Sequence, residues 1–310
     1  MVSSMRGRDF LTVHDFSKDE LGEILQFALQ LKQEKKAGLE HLLLRGKTLG
    51  MIFQKASTRT RVSFEVGMYQ LGGYALFLSA ADLQIGRGEP VKDTARVLSR
   101  YLDGIMIRTF DHREVEELAA FADIPVINGL TDLLHPCQAM ADLMTILEQK
   151  GKLAGLKLAY LGDGNNVAHS LLLACSKMGL NVAVASPKGY EVKAEIVAKA
   201  KESAAVSGAG ITLTADPLEA AAGADILYTD VWASMGQEAE HQLRLKAFQR
   251  YQLNKEILKM AADDALVLHC LPAHRGEEIS DEVIEGPQSL VFDQAENRLH
   301  VQKAIMAKLI

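Results

Sequence analysis

The sequence predicts an α/β protein made of two doubly wound parallel-sheet domains with a cleft between them. Three observations predict it. Short apolar runs bounded by turn residues alternate with segments of helical periodicity, which is the pattern of a parallel sheet with crossover helices. That alternation runs through once, pauses at Gly151-Lys-Leu-Ala-Gly155, and then repeats. The 310 residues, 48% of them hydrophobic, are enough for two domains with full cores. The expected boundaries are 1–150 for the first domain, joined by a C-terminal helix at 297–310, and 151–296 for the second.

The elements follow in order. Ser17, with Glu20 three residues on, opens a capping box, and Leu21, Ile24, Leu25, Ala28 and Leu31 carry an amphipathic helix over 17–36. Thr48-Leu-Gly-Met-Ile-Phe53 is a buried strand. A helix then runs to Gly72-Gly73, and a second strand covers 74–78. Residues 80–92, rich in glycine and charge, form a loop suited to closing over a site or reaching a neighbouring subunit. A helix at 93–102, a strand at 104–108, a helix at 112–121 and a strand at 125–128 complete the first half. Pro136 fits the first turn of a helix whose body is 139–149. The second half places strands at 156–162, 181–185, 210–214, 224–229, 265–271 and 289–293, with helices between them. A final helix over 295–310 packs back on the first domain.

Composition excludes several functions. Forty acidic residues against 34 Lys plus Arg give a net charge of -6, so neither nucleic acid nor an anionic membrane surface is an expected partner. Cys137, Cys175 and Cys270 are odd in number and far apart, as expected for reduced thiols in a cytoplasmic protein. No CxxC or His/Cys spacing marks a metal, and no cofactor is expected. The start of the chain lacks the apolar centre of a secretory signal, and no apolar run has the length of a membrane span. Gly162-Asp-Gly matches two glycines of a dinucleotide fingerprint. The third position is Val167, and the next strand ends at Ser186 with no acid for a ribose. This argues against a nicotinamide dehydrogenase, the other enzyme class that two α/β domains suit.

Ligands of open α/β sheets bind beyond the carboxyl ends of the strands. The residues expected there in the first domain are Ser57, Thr58, Arg59 and Thr60, at a strand-to-helix junction, with Arg108, His135 and Gln138. Hydroxyls, guanidinium groups and a helix N-terminus are donors for a phosphate and an adjacent carbonyl. In the second domain Asn165 and Asn166 turn amides toward the cleft. Asp230 ends a strand beside a loop holding Ser234, Met235 and Gly236, where a carboxylate suits the ammonium of an amino acid. Cys270 and Leu271 close the cleft, and the Cys270 thiol beside Asp230 would orient an amine and help deprotonate it. No Ser-His-Asp nucleophile is evident. The reaction such a set supports is transfer of an activated acyl group from a phosphate to an amine.

The motifs Ser57-Thr-Arg-Thr-Arg61 with Ser63-Phe-Glu65, His135-Pro-Cys-Gln138, Asp230-Val-Trp-Ala-Ser-Met-Gly236, His269-Cys-Leu-Pro272 and Glu296-Asn-Arg298 occur in this order along the chain. The chain resembles the aspartate/ornithine carbamoyltransferase family, and Ser-Met-Gly with His-Cys-Leu-Pro points to its ornithine branch. The resemblance implies transfer of a carbamoyl group from carbamoyl phosphate to the δ-amine of L-ornithine, giving L-citrulline and phosphate. It implies that Ser57, Thr58, Arg59, Thr60 and Arg108 hold the phosphate. His135 and Gln138, with Arg59 and Thr60, would surround the carbonyl, and Arg298 would polarise it. Gln84 matches a glutamine that reaches in from the adjacent subunit of a homotrimer or an assembly of trimers. Asn166, Asp230, Ser234 and Met235 match the ornithine contacts. Putrescine or a modified ornithine as acceptor, and a non-catalytic homologue, are the alternatives within the family.

Overall fold

A computed structural model describes residues 5–233 and 240–310. The chain forms two compact units, Met1–Met144 with Asn297–Ile310, and Thr145–Glu296.

In the first unit α1 (Lys18–Lys36) starts at the expected capping box, with Ser17 Oγ accepting from Glu20 N and Glu20 accepting from Ser17 N. Then come β1 (Thr48–Phe53), α2 (Thr58–Gln70), β2 (Tyr74–Ser79), α3 (Val91–Leu98), β3 (Gly104–Arg108), α4 (His112–Phe121), β4 (Val126–Leu130) and α5 (Pro136–Lys150). The strands are parallel in the order β2-β1-β3-β4. β1 and β3 are central and read as unbroken apolar runs because both of their faces are covered. β2 is an edge strand and leaves Tyr74, Leu76 and Phe77 exposed. Within the 80–92 loop, Gln84–Arg87 form a single 3-10 turn and α3 begins at Val91, earlier than expected.

The second unit holds β5 (Lys157–Leu161), α6 (Asn166–Met178), β6 (Asn181–Ala185), α7 (Ala194–Ser207), β7 (Ile211–Thr214), α8 (Pro217–Ala221), β8 (Ile226–Thr229), α9 (His241–Phe248), α10 (Lys255–Leu258), β9 (Leu266–His269) and α11 (Asp281–Ile284). Its parallel sheet has the order β7-β6-β5-β8-β9. The last helix, α12 (Val291–Leu309), begins in this unit, and its residues 297–310 belong to the first. There Gly7 N donates to Leu309 O at 2.8 Å and Lys32 Nζ to Asn297 Oδ1 at 2.8 Å.

One expected strand is absent. Residues 289–293 make only a single bridge, Val267 with Ser289, before the chain turns helical at Val291. Val291 is buried while Phe292 is 66% exposed and Gln294 is buried, which is the spacing of a helix face. Short apolar runs leave helix and strand ambiguous, and in this one the helical period holds.

Candidate active site

Both sheets reverse their winding once. In the first, the chain leaves β1 for β2 on one side and returns across β1 to β3 on the other. Connections depart in opposite directions there and open a crevice at the carboxyl ends of β1 and β3. The segment 54–60 leaves β1 at that point, and Arg108 is paired with Phe53 at the end of β3. In the second sheet the reversal falls between β5 and β8. Residues 162–166 leave β5 there, and Asp230 follows β8 directly.

The first switch point is rich in donors. Ser57 caps α2, its Oγ accepting from Thr60 N at 3.2 Å. A capping serine spends a lone pair and keeps its O–H, so the cap and a phosphate donor coexist in one hydroxyl. Thr58 is exposed, Arg59 half-buried, and Thr60 and Arg108 buried. His135 gives its carbonyl to Gln138 N at 3.1 Å and lies at the mouth of α5, buried. Arg298 lies well inside α12, because that helix begins at Val291 and not at the expected 295. Its Nη1 donates to Gln138 Oε1 at 2.8 Å and its Nη2 to Thr60 Oγ1 at 3.0 Å. Gln138 Nε2 in turn donates to Asp142 Oδ1 at 2.8 Å. With its amide oxygen turned inward, Gln302 accepts from Arg298 Nη2 and Nε at 3.1 and 3.2 Å. Burial, then the guanidinium groups of Arg298, Arg108 and Arg59, hold His135 well below the ordinary imidazole range. His135 is therefore a neutral imidazole near pH 7 that offers one N–H donor. Gln84, in its 3-10 turn, is exposed.

The second switch point is anionic. Asp230 is buried and receives Asn165 Nδ2 at 2.8 Å, Cys270 Sγ at 2.9 Å and Val231 N at 2.8 Å. Asn165 also caps α6 through its Oδ1, which takes Val167 N at 2.9 Å, Ala168 N at 3.2 Å and the Tyr160 hydroxyl at 3.3 Å. So Asn165 does not turn its amide outward as expected; it fixes the carboxylate. Gly164 explains the turn: a Cβ there would meet Val192 N at 2.3 Å, which packing against backbone forbids. This tight approach accounts for Gly164, and a φ of 143° for Gly162. Asn166 is the first residue of α6 and half-buried. Burial, with Asp230 and Asp163 nearby, pushes the Tyr160 phenol well above its ordinary value. Leu271 has a left-handed φ of 57° and donates its N–H to His269 Nδ1 at 2.9 Å. A bulky residue at positive φ marks local strain, of the kind that concentrates at ligand sites. Ser234, Met235 and Gly236 lie outside the described residues.

Sequence reasoning passed over Arg244. Its Nη1 donates to Asp163 at 2.7 Å and to Trp232 O at 2.8 Å, and its Nε to Glu240 at 3.0 Å. One buried guanidinium thus holds the chain on either side of residues 234–239. An arginine inside a polar helix carries no signal in one sequence. Asp230, His269 and Cys270 converge, and so do His274, Glu277 and Glu278. The first group is assembled from two strand ends, which spacing along the chain does not reveal.

Sequence models of the aspartate/ornithine carbamoyltransferase family match both halves: the carbamoyl-P binding domain over residues 8–148 and the Asp/Orn binding domain over 154–309. The chain belongs to the aspartate/ornithine carbamoyltransferase family. Among its relatives is the ornithine carbamoyltransferase of Thermococcus kodakarensis, 60% identical over 99% of this chain and 98% of that one. Another is the anabolic ornithine carbamoyltransferase of Pyrococcus furiosus, 57% identical over 99% and 98%. The structure of a Pyrococcus furiosus ornithine carbamoyltransferase superposes with a TM-score of 0.97 at 56% identity, covering 99% and 98% of the two chains.

Proposed function

We propose that this chain is an enzyme that transfers the carbamoyl group of carbamoyl phosphate to the δ-amine of L-ornithine, releasing L-citrulline and phosphate in arginine synthesis. The observation that carries the reading is the Arg298 guanidinium, locked onto Gln138 and Thr60 at the end of the α2 N-terminus. In this reading the first unit, with residues 297–310, takes carbamoyl phosphate. Ser57, Thr58, Arg59, Thr60 and Arg108 hold the phosphate. Neutral His135, Gln138 and Arg298 donate to the carbonyl oxygen, where charge builds as the amine adds. Cys270 and Leu271 complete this side. The second unit takes ornithine through Asn166, Asp230, Ser234 and Met235.

The uncharged δ-nitrogen attacks the carbonyl carbon and a tetrahedral intermediate forms. The bond from that carbon to the phosphate oxygen breaks, and the departing phosphate accepts the proton that the amine loses. An alkyl amine of pKa about 10 is mostly protonated at neutral pH, so its deprotonation is part of the barrier. Asp230 and the Cys270 thiol, in contact at 2.9 Å, are the pair suited to holding the ammonium and moving its proton.

A homotrimer, with Gln84 supplied by the adjacent subunit, fits the surface. Val62, Val66 and Tyr69 line one exposed face of α2, and Tyr74, Leu76 and Phe77 are exposed on β2. Clustered apolar exposure of this kind marks an interaction surface. The three free thiols suit a reducing, cytoplasmic setting. Among the described residues no helix is long and apolar enough to cross a membrane. The test is a product assay with carbamoyl phosphate against L-ornithine, putrescine, L-aspartate and L-lysine. Citrulline formed from ornithine in strong preference to the other products is the expected result. Equal or better use of putrescine overturns the ornithine assignment, and no product with any amine overturns the enzyme.

A further inference from the structure

We propose that His274, Glu277 and Glu278 of the second unit form a binding site for a divalent cation of the zinc class, separate from the amine site. Their ligand atoms lie within 4.8 Å of one another. His274 Nδ1 is 3.8 Å from Glu277 Oε2 and 3.8 Å from Glu278 Oε2. Ligands of a tetrahedral zinc, each roughly 2.0–2.1 Å from the ion, stand about 3.3 Å apart, so an ion beside His274 draws each carboxylate toward the imidazole by about half an ångström.

A second observation points to a ligand. Glu278 is fully buried, and its Oε2 has no hydrogen-bond partner. Leaving a buried carboxylate oxygen bare is costly, and a cation is the natural occupant of that space. Its other oxygen, Oε1, is held by His269 Nε2 at 3.1 Å and by His274 N. Glu277 is held by His241 Nε2 at 3.1 Å. Glu278 thus already has, through Oε1, the outer contacts that orient a metal ligand. The guanidinium of neighbouring Arg275 pairs with Asp281 and Glu285 instead. His274 is half exposed, which opens a path for the ion and leaves a fourth position to water. The loop is preformed: Gly276, at φ +90°, donates to Ile279 O at 2.8 Å, and Glu277 N donates to His274 O at 2.9 Å. Occupation would tie the chain leaving the Leu271-Pro272 turn to His241 at the start of α9.

The purified chain, stripped with chelator, is titrated with Co²⁺ as a spectroscopic probe and with Zn²⁺ by calorimetry. One ion per chain is expected, with visible d–d bands and no near-ultraviolet thiolate charge-transfer band. His274→Ala and Glu277→Gln, both at accessible positions, should each weaken binding by at least about tenfold, and His241→Ala by about tenfold. Cys270→Ser should leave it unchanged. Binding that survives both His274→Ala and Glu277→Gln overturns the site. So does a thiolate band that vanishes in Cys270→Ser, which assigns the ion to Asp230, His269 and Cys270. Absence of saturable binding at millimolar ion overturns it as well.

Discussion

The two switch points share one topology and carry opposite charge. At the end of β1, guanidinium groups and a helix N-terminus surround an imidazole that burial and those same cations keep neutral. At the end of β8, one buried carboxylate is held by a thiol, an amide and a backbone N–H, all of them neutral donors. Arg298 likewise reaches Gln138 and Thr60, neutral acceptors. In the second unit the Asp230 charge is thus fixed in place by groups that do not cancel it, so its field stays available to a ligand of the opposite sign. The lesson is that preorganisation and neutralisation are separate operations, and a binding site needs the first without the second.

The comparison can be broken or sharpened by substitution, starting with the largest effect. Arg298→Ala removes a fixed donor from the carbonyl and leaves Gln138 and Thr60 without their partner. We expect kcat/KM to fall by about 10²–10³, the scale of losing an oxyanion donor. A loss below tenfold in a steady-state assay would remove Arg298 from the reacting centre. Asp230→Asn keeps shape and removes the charge at the other switch point. It should raise the KM for ornithine by about tenfold or more while changing that for carbamoyl phosphate little. An equal rise in both, measured with each substrate varied in turn, would mean that the two charges do not serve separate ligands.

Cys270→Ser should lower kcat and displace the pH optimum, because the hydroxyl does not ionise where a thiol does. A thiol that only packs would cost thermal stability and leave the pH profile of kcat unmoved. The smallest effect lies away from both sites. Lys303 is fully buried on α12, donates to Gln70 Oε1 at 3.1 Å, and is pushed down to about 8 by burial and by Lys35. Below pH 8 both folded and unfolded chains carry this charge, and the folded one bears the cost of burying it. Between about 8 and the usual lysine value near 10.4 the unfolded chain binds more protons, so stability rises with pH in that window. Lys303→Met should flatten the rise and add on the order of 1 kcal/mol near pH 7. Denaturant midpoints measured at pH 7, 9 and 10.5 check it, and a parallel pH dependence in both proteins would refute the assignment.

Much of this architecture was legible in the sequence, because alternating apolar runs and helical periods are local signals. The Ser17 capping box, the buried strand at 48–53 and the Ser57 junction were read from a few neighbouring residues each. Strand order was not legible, and it is strand order that puts a switch point at the ends of β1 and β8. Partners distant in sequence were also hidden. Arg298 meets Thr60 across 238 residues, and Asn165 meets Asp230 across 65. The false strand at 289–293 shows the same limit from the other side: five residues with two or three apolar positions fit either period until burial decides.

Arg244 joins three separate stretches of the second unit through one side chain. It grips Trp232 through a carbonyl and Glu240 through a carboxylate, with Asp163 behind it. The chain on either side of residues 234–239 is therefore clamped from outside that hexapeptide, by a side chain that the hexapeptide does not contain. Arg244→Ala would therefore unfasten Trp232, Glu240 and Asp163 together, through the loss of one side chain.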